Sequence, residues 1–247
     1  MHRSHTSLVA HAFMEAGLYL GDDLIGAKPS NPYGHFESQA IVDFHDSVIR
    51  QHNLGSWWSK VDLQRVQSVS KNKALDDAFS QAWTGKEQKT LCGWKDPRGA
   101  LFLDTWSRVV PTAKFIITVR HPIQVVRSLN KRVLRSSKLK WKPMLSKRHF
   151  NHWLVTNTLI LDWVRRHPDQ SYLLHTPQDL LDEKHHHALR RRLSAWEVDI
   201  DVRFDQVIDS SLIDQTTVDD EVSRMYKNWT DIQDVYRHLM ELMSAQD

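Results

Sequence analysis

The 247 residues carry 33 Lys and Arg against 30 Asp and Glu, a net charge of only +3, with 40% hydrophobic and 26% charged side chains. That balance suits a globular chain able to bury its own core, and a single α/β domain over residues 1–247 is the simplest reading. No apolar run approaches the roughly 18 residues of a membrane span, and the one cysteine, Cys92, excludes an internal disulfide and fits a reducing, cytoplasmic setting.

In chain order, Ser7 to Ala16 predicts a helix, because Leu8, Val9, Ala12, Phe13 and Ala16 recur at helical spacing and Gly17 follows as a stop. A loop rich in Gly, Asp and Pro runs from Gly21 to Gly34. A second helix carries Ala40, Phe44 and Val48 on one stripe, and a third stripe is formed by Leu75, Ala78, Phe79 and Ala82. Thr90 to Trp94 predicts a strand that runs into Lys95-Asp96-Pro97-Arg98, followed by a helix with Phe102, Trp106, Val109 and Val110 inward. The unit then repeats. Lys114 to Val119 is a continuous apolar strand, Arg120-His121-Pro122 is the turn, and Val125, Val126, Leu129 and Val133 stripe the next helix. Such runs predict a buried parallel sheet. A helix with Phe150, Trp153, Leu154, Leu161 and Val164 ends at His167-Pro168, Ser171 to Thr176 is a short strand, and a last long helix carries Val222, Met225, Tyr226, Trp229, Tyr236, Leu239 and Met243. The tryptophans read as core and seam residues rather than a base-stacking set.

Three segments carry chemistry, each at a hand-over to a helix, where open α/β sheets bind ligands. Arg3-Ser4-His5-Thr6-Ser7 precedes the first helix, where free N–H groups, the dipole, hydroxyls and a guanidinium suit a phosphate; simple capping is the plainer account of the same residues. Arg120 at a strand end and Ser128 on the following helix can share one crevice and hold a phosphate monoester, or be a surface arginine and a packed serine. Lys95 leaves a strand tip toward the same crevice, with a structural ion pair as its alternative.

Taken together, these segments resemble the PAPS-dependent sulfotransferases (PAPS is 3′-phosphoadenosine 5′-phosphosulfate). Arg3-Ser4-x-Thr6-Ser7 resembles the family's 5′-phosphosulfate loop, and Arg120, His121, Pro122 and Ser128 resemble its 3′-phosphate motif. Gly34-His35-Phe36-Glu37 and Trp94-Lys95-Asp96-Pro97-Arg98 resemble hallmarks of the bacterial-type branch related to protein-tyrosine sulfotransferases. The resemblance covers the chain from its first residue to about Ser194. It departs at His5, where the family has glycine, and at the start, since family members place a hydrophobic strand ahead of this loop; the expectation is a fold lacking its usual first strand.

The resemblance implies a P-loop-like three-layer sandwich around a central parallel sheet, and sulfuryl transfer from PAPS to an acceptor hydroxyl or amine. Arg3, Ser4, His5, Thr6 and Ser7 then serve the 5′ side, Arg120 and Ser128 the 3′-phosphate, Lys95 the leaving oxygen, and Glu37 is the base with His35 second. Glu37 has a plainer reading as a first-turn glutamate complementing a helix dipole. The expected partners are PAPS, its product 3′-phosphoadenosine 5′-phosphate (PAP) and an acceptor such as a carbohydrate or small metabolite. No metal is required, and His185-His186-His187 are consecutive, which does not turn them one way on a helix. The basic tract around Lys131-Arg132, Arg135, Lys138, Lys140, Lys142 and Lys147-Arg148 reads as a solvated face or acceptor rim rather than a nucleic-acid surface. Two alternatives stand beside transfer: a non-catalytic nucleotide-binding protein of the same fold, and a nucleotide kinase, which the lack of a Gly-rich loop ending in Lys and Ser or Thr disfavours.

Overall fold

The computed structural model describes residues 1–27, 34–55, 60–85, 91–136, 142–208 and 226–246, with the side chains of 134–136 and 142–145 left aside. Its helices are α1 (Thr6–Glu15), α2 (Gln39–Gln51), α3 (Leu63–Ser70), α4 (Asp76–Trp83), α5 (Leu103–Val109), α6 (Pro122–Ser136), α7 (Lys142–Arg166), α8 (Glu183–Ala195) and α9 (Trp229–Ser244). Two strands, β1 (Phe115–Val119) and β2 (Ser171–His175), pair in parallel with Phe115 opposite Ser171 and Val119 opposite His175. Parallel neighbours need a crossover, and α6 and α7 supply it.

Alternation along the strands assigns each face of this pair to different helices. Ile116, Tyr172 and Leu174 pack with Val9, Ala12 and Phe13 of α1 and Ala188, Leu189 and Leu193 of α8. Ile117, Val119 and Leu173 pack on the other face with Ile160, Leu161, Trp163 and Val164 of α7 and Leu239 of α9. Helices therefore cover both faces, as apolar parallel strands demand, and the molecule is α/β. A separate core joins α2 to α5 through Ile41, Val48, Val66, Phe79 and Trp106.

Element starts follow local chemistry. Pro122 opens α6, where its fixed φ and missing N–H cost nothing. Asp62 caps α3 by accepting from Arg65 N, and Asp182 caps α8 by accepting from Lys184 N.

Three expectations change. The strand expected from Thr90 to Trp94 is, over its described residues, an extended segment joined to Tyr19 by a single parallel bridge at Cys92, with Tyr19 N donating to Leu91 O and Gly93 N to Tyr19 O. Pairing stops there because Asp96 accepts from Arg98 N and begins a 3-10 turn, Pro97–Leu101, directly afterwards. The helix expected behind it is divided at Phe102, whose φ of -127 and ψ of 26 leave helical geometry between that turn and α5. Lastly, α9 begins at Trp229: Tyr226 precedes it and lies against Phe150, at a centroid distance of 5.2 Å, while Val222 and Met225 fall outside the described residues. The described sheet has two strands, fewer than the expected central sheet.

Candidate functional site

The candidate groups gather around the entry to α1. Residues 3–5 cross the carboxyl ends of β1 and β2 in a conformation few side chains tolerate: Arg3 has φ 64 and His5, the N-cap of α1, has φ 56 and ψ 20. His5 thus occupies the left-handed region that glycine enters without cost. Its carbonyl still accepts from Leu8 N and Val9 N, so the helix starts at Thr6 although His5 provides no side-chain cap. Thr176, buried just beyond β2, donates its hydroxyl to Ser4 O at 3.2 Å and to Val119 O at 3.3 Å, which ties the loop to both strands.

Arg120 follows β1 and is only 4% exposed. Its Nη1 donates to Arg3 O at 3.0 Å and its Nε to Gln124 Oε1 at 3.2 Å. Trp153 Nε1 donates to the Arg120 carbonyl at 3.1 Å and fixes the turn from behind. Ser128, on the second turn of α6, accepts at Oγ from Arg3 Nε at 2.8 Å. Arg3, assigned by resemblance to the 5′ side, is therefore shared with the hydroxyl of the 3′ motif, and the two halves of the site abut.

On the other flank of α1 stand Ser7, Glu37 and Lys95. Lys95 Nζ donates to Glu37 Oε1 at 2.6 Å and to Ser7 Oγ at 3.0 Å, with side chains of Lys95 and Glu37 11% and 8% exposed. Ser7 Oγ donates to the carbonyl of His35 at 3.3 Å. His35 thus enters the site through its backbone. Burial pushes the Lys95 ammonium below its ordinary range, against the opposing pull of the Glu37 carboxylate.

Glu37 is oriented by a clasp between two segments. Ile25 N donates to Glu37 O, His35 N to Ile25 O, and Leu24 bridges Ser38 antiparallel. Asp23 Oδ2 accepts from Ala40 N and Ser38 Oγ, both inside 3 Å, and so caps α2 together with Ser38. Because Ser38 is the N-cap, Glu37 lies ahead of α2 rather than in its first turn. The dipole-complementing reading of Glu37 gives way to an ion pair. Phe36, at φ 52, is a bulky residue held in the left-handed region and stacked on His11 of α1 at 4.6 Å. Such backbone outliers gather where a site over-determines its loops, and three of them, Arg3, His5 and Phe36, flank this one.

Behind Lys95, the Asp96 and Arg98 of the same quoted segment join two residues that no motif marked, His45 and Asp46. Arg98 reaches Asp46 at 2.7 Å, Asp96 through its Nη1, and Glu37 Oε2 at 3.8 Å. Burial favours a neutral Asp96, but the His45 hydrogen bond and the Arg98 charge outweigh it and hold the carboxyl well below its usual range. His45 shares the buried face of α2 with Ile41, Val48 and Ile49, and a histidine among apolar positions requires a polar partner. Its position on that face is the trace that was available.

Elsewhere, the three consecutive histidines of α8 diverge. His185 approaches Asp179, His186 the carbonyl of Leu180, and His187 is exposed. Among the described residues no helix is long and apolar enough to cross a membrane. Of the basic tract, Lys138 and Lys140 lie outside the described residues. Compared with known proteins, the chain matches no family model, no curated protein and no solved structure.

Proposed function

We propose that this chain is a PAPS-dependent sulfotransferase, with the P-loop-like three-layer architecture that such an activity implies. The observation that carries the reading is convergence. Segments 58 to 125 residues apart, each resembling a different sulfotransferase motif, meet at the amino end of α1, with Arg3 on Ser128 at 2.8 Å and Lys95 between Ser7 and Glu37. Positive φ at His5 is a second support, because it is the backbone conformation that the family's glycine would supply.

The residues present fit an anionic nucleotide. Two guanidiniums, an ammonium, the hydroxyls of Ser7 and Ser128 and the amino end of a ten-residue helix lie together, and a helix start favours phosphate through its dipole and open N–H groups. Arg120 and Ser128 hold the 3′-phosphate; Arg3, Ser4, His5, Thr6 and Ser7 line the 5′ side. PAPS supplies a sulfuryl group on a good leaving group, PAP. Glu37 takes the proton of the acceptor hydroxyl or amine as the acceptor atom bonds to sulfur and the bond from sulfur to the bridging oxygen breaks. Lys95 and Ser7 steady the negative charge on that departing oxygen, the demand that phosphoryl transfer also makes. His35 shapes the loop through its carbonyl, and Glu37, directly paired with Lys95, is the preferred base.

The existing Glu37–Lys95 contact also favours a second reading, nucleotide binding without transfer, in which the two simply neutralise each other. One experiment separates the two: calorimetry with PAP beside turnover of radiolabelled PAPS against carbohydrate, phenol and amine acceptors. Binding with transfer supports the first reading and binding alone the second. Absence of PAP binding overturns both.

A further inference from the structure

Behind the Glu37–Lys95 pair runs a second chain of polar groups, buried at its centre. Asp96 accepts at Oδ1 from Arg98 N at 3.0 Å and from the Arg98 guanidinium, and at Oδ2 it meets His45 Nδ1 at 2.7 Å. Side chains of Asp96 and His45 have no exposure. On the far side, Trp106 Nε1 donates to His45 Nε2 at 2.9 Å. An indole nitrogen only donates, so His45 Nε2 carries the lone pair and the ring proton sits on Nδ1, directed at Asp96. The imidazole is also clamped by packing: Phe102 stacks on it at 5.3 Å and Trp106 meets it edge-on at 5.7 Å. Both ring nitrogens and the ring plane are therefore set by groups of the core.

Arg98 is the link to the site. It is engaged by Asp96 and by Asp46 at 2.7 Å, and stands 3.8 Å from the Glu37 oxygen that Lys95 does not hold. We propose that His45 is a positioning residue for the Glu37–Lys95 pair: by anchoring Asp96 from behind, it keeps Arg98 turned toward Asp96 and Asp46, leaving Glu37 to Lys95. A guanidinium released from Asp96 closes on Glu37, its nearest remaining buried carboxylate, because a planar fork matches a carboxylate better than an ammonium does. Lys95 then loses its counter-charge inside a desolvated site. The catalytic consequence rests on Glu37 and Lys95 being the reacting pair; the geometric consequence does not.

The test follows Lys95 itself. Wild type, His45→Leu, Asp96→Asn and His45→Asn are pulsed with an acetylating active ester over a pH series, and peptide mass spectrometry reads the acetylation rate of Lys95 against exposed Lys71. Loss of the counter-charge lowers the ammonium pKa, so His45→Leu and Asp96→Asn raise the rate at neutral pH by about 3- to 10-fold, up to one pKa unit. His45→Asn, which retains an N–H toward Asp96, stays within about twofold of wild type by the same measure. In PAPS turnover, the first two variants lower kcat by about 10- to 100-fold at an unchanged KM for PAPS, the pattern of an interaction that acts at the chemical step. Unaltered Lys95 labelling in folded His45→Leu overturns the proposal, and so does an equal rise in His45→Asn, which marks general loosening of the core. Should His45→Leu not fold, His45→Phe, which keeps the ring packing against Phe102 and Trp106 but offers no N–H to Asp96, is pulsed in the same way and decides on the same readout. If wild type neither binds PAP nor turns over PAPS, the sulfotransferase reading falls while the labelling still decides the positioning role.

Discussion

The proposed transfer gives Glu37 and Arg120 opposite duties, one kinetic and one for binding, and single substitutions separate them. A base is needed only while the acceptor proton moves, so Glu37→Gln lowers single-turnover transfer by about 10²- to 10⁴-fold and leaves PAP affinity nearly unchanged. Turnover near the wild-type rate would remove Glu37 as base, and a His35 substitution would then test the second candidate. Arg120 is buried and reaches across to the Arg3 carbonyl. Its truncation weakens PAP by about 2–5 kcal/mol, the scale for removing one partner of a buried charge pair. Adenosine 5′-phosphate, which lacks the 3′ group, is barely affected. Equal calorimetric losses for the two nucleotides would mean that Arg120 does not read the 3′-phosphate.

At the scale of elements, the site depends on how two helices begin. The entry to α1 passes through His5 in the left-handed region, where an L side chain costs roughly 1–2 kcal/mol. Glycine removes that strain but adds freedom to the unfolded chain, so His5→Gly is expected to stabilise by a net of about 0.5–1 kcal/mol. A higher midpoint in urea at unchanged slope is the sign to look for; a lower midpoint would show that the imidazole contributes more than its backbone costs. The start of α2 rests on Asp23, which satisfies both Ala40 N and the Ser38 hydroxyl. Asp23→Ala therefore costs about 1–2 kcal/mol, the upper part of the range for a lost cap. Because the same clasp carries Glu37, the proposed transfer predicts a larger effect of Asp23→Ala on PAPS turnover than on PAP binding.

For the whole molecule, the buried titratable groups predict sensitivity to acid. Burial depresses His149 to about 4 and His152 to about 3, the latter further lowered by its neighbour His149. Below the unfolded value of 6.5 the unfolded chain binds protons at these positions that the folded chain does not, so stability falls with falling pH. Each group contributes a slope of up to about 1.4 kcal/mol per pH unit, His149 until about pH 4 and His152 until about pH 3. Asp96, whose folded carboxyl is held well below 3.8, adds loss of the same sign below that value, where the unfolded carboxylate takes up a proton that the folded one does not. Urea midpoints between pH 7 and pH 4 should therefore decline, and His152→Gln should flatten the decline. An unchanged slope in that variant would place the acid sensitivity elsewhere.

The helices α1, α2, α4, α6 and α7 and both strands were legible in sequence because apolar periodicity records which face a segment buries. The segments singled out as candidates were legible too: Arg3 and Ser7 at the entry to α1, Glu37 just ahead of α2, and Arg120 directly after β1. Other features were decided in three dimensions. The extended segment at Cys92 stays a single bridge because strand length depends on the partner and on the turn that follows, and periodicity sees neither. That Arg3 meets Ser128 depends on where residues 3–5 cross the sheet end. His45 reads in sequence as one polar position on an apolar stripe; its link to Trp106 and Asp96 spans up to 61 residues. Local patterns report burial and backbone preference, whereas a hydrogen bond between distant segments exists only once packing has brought its donor and acceptor within 3 Å.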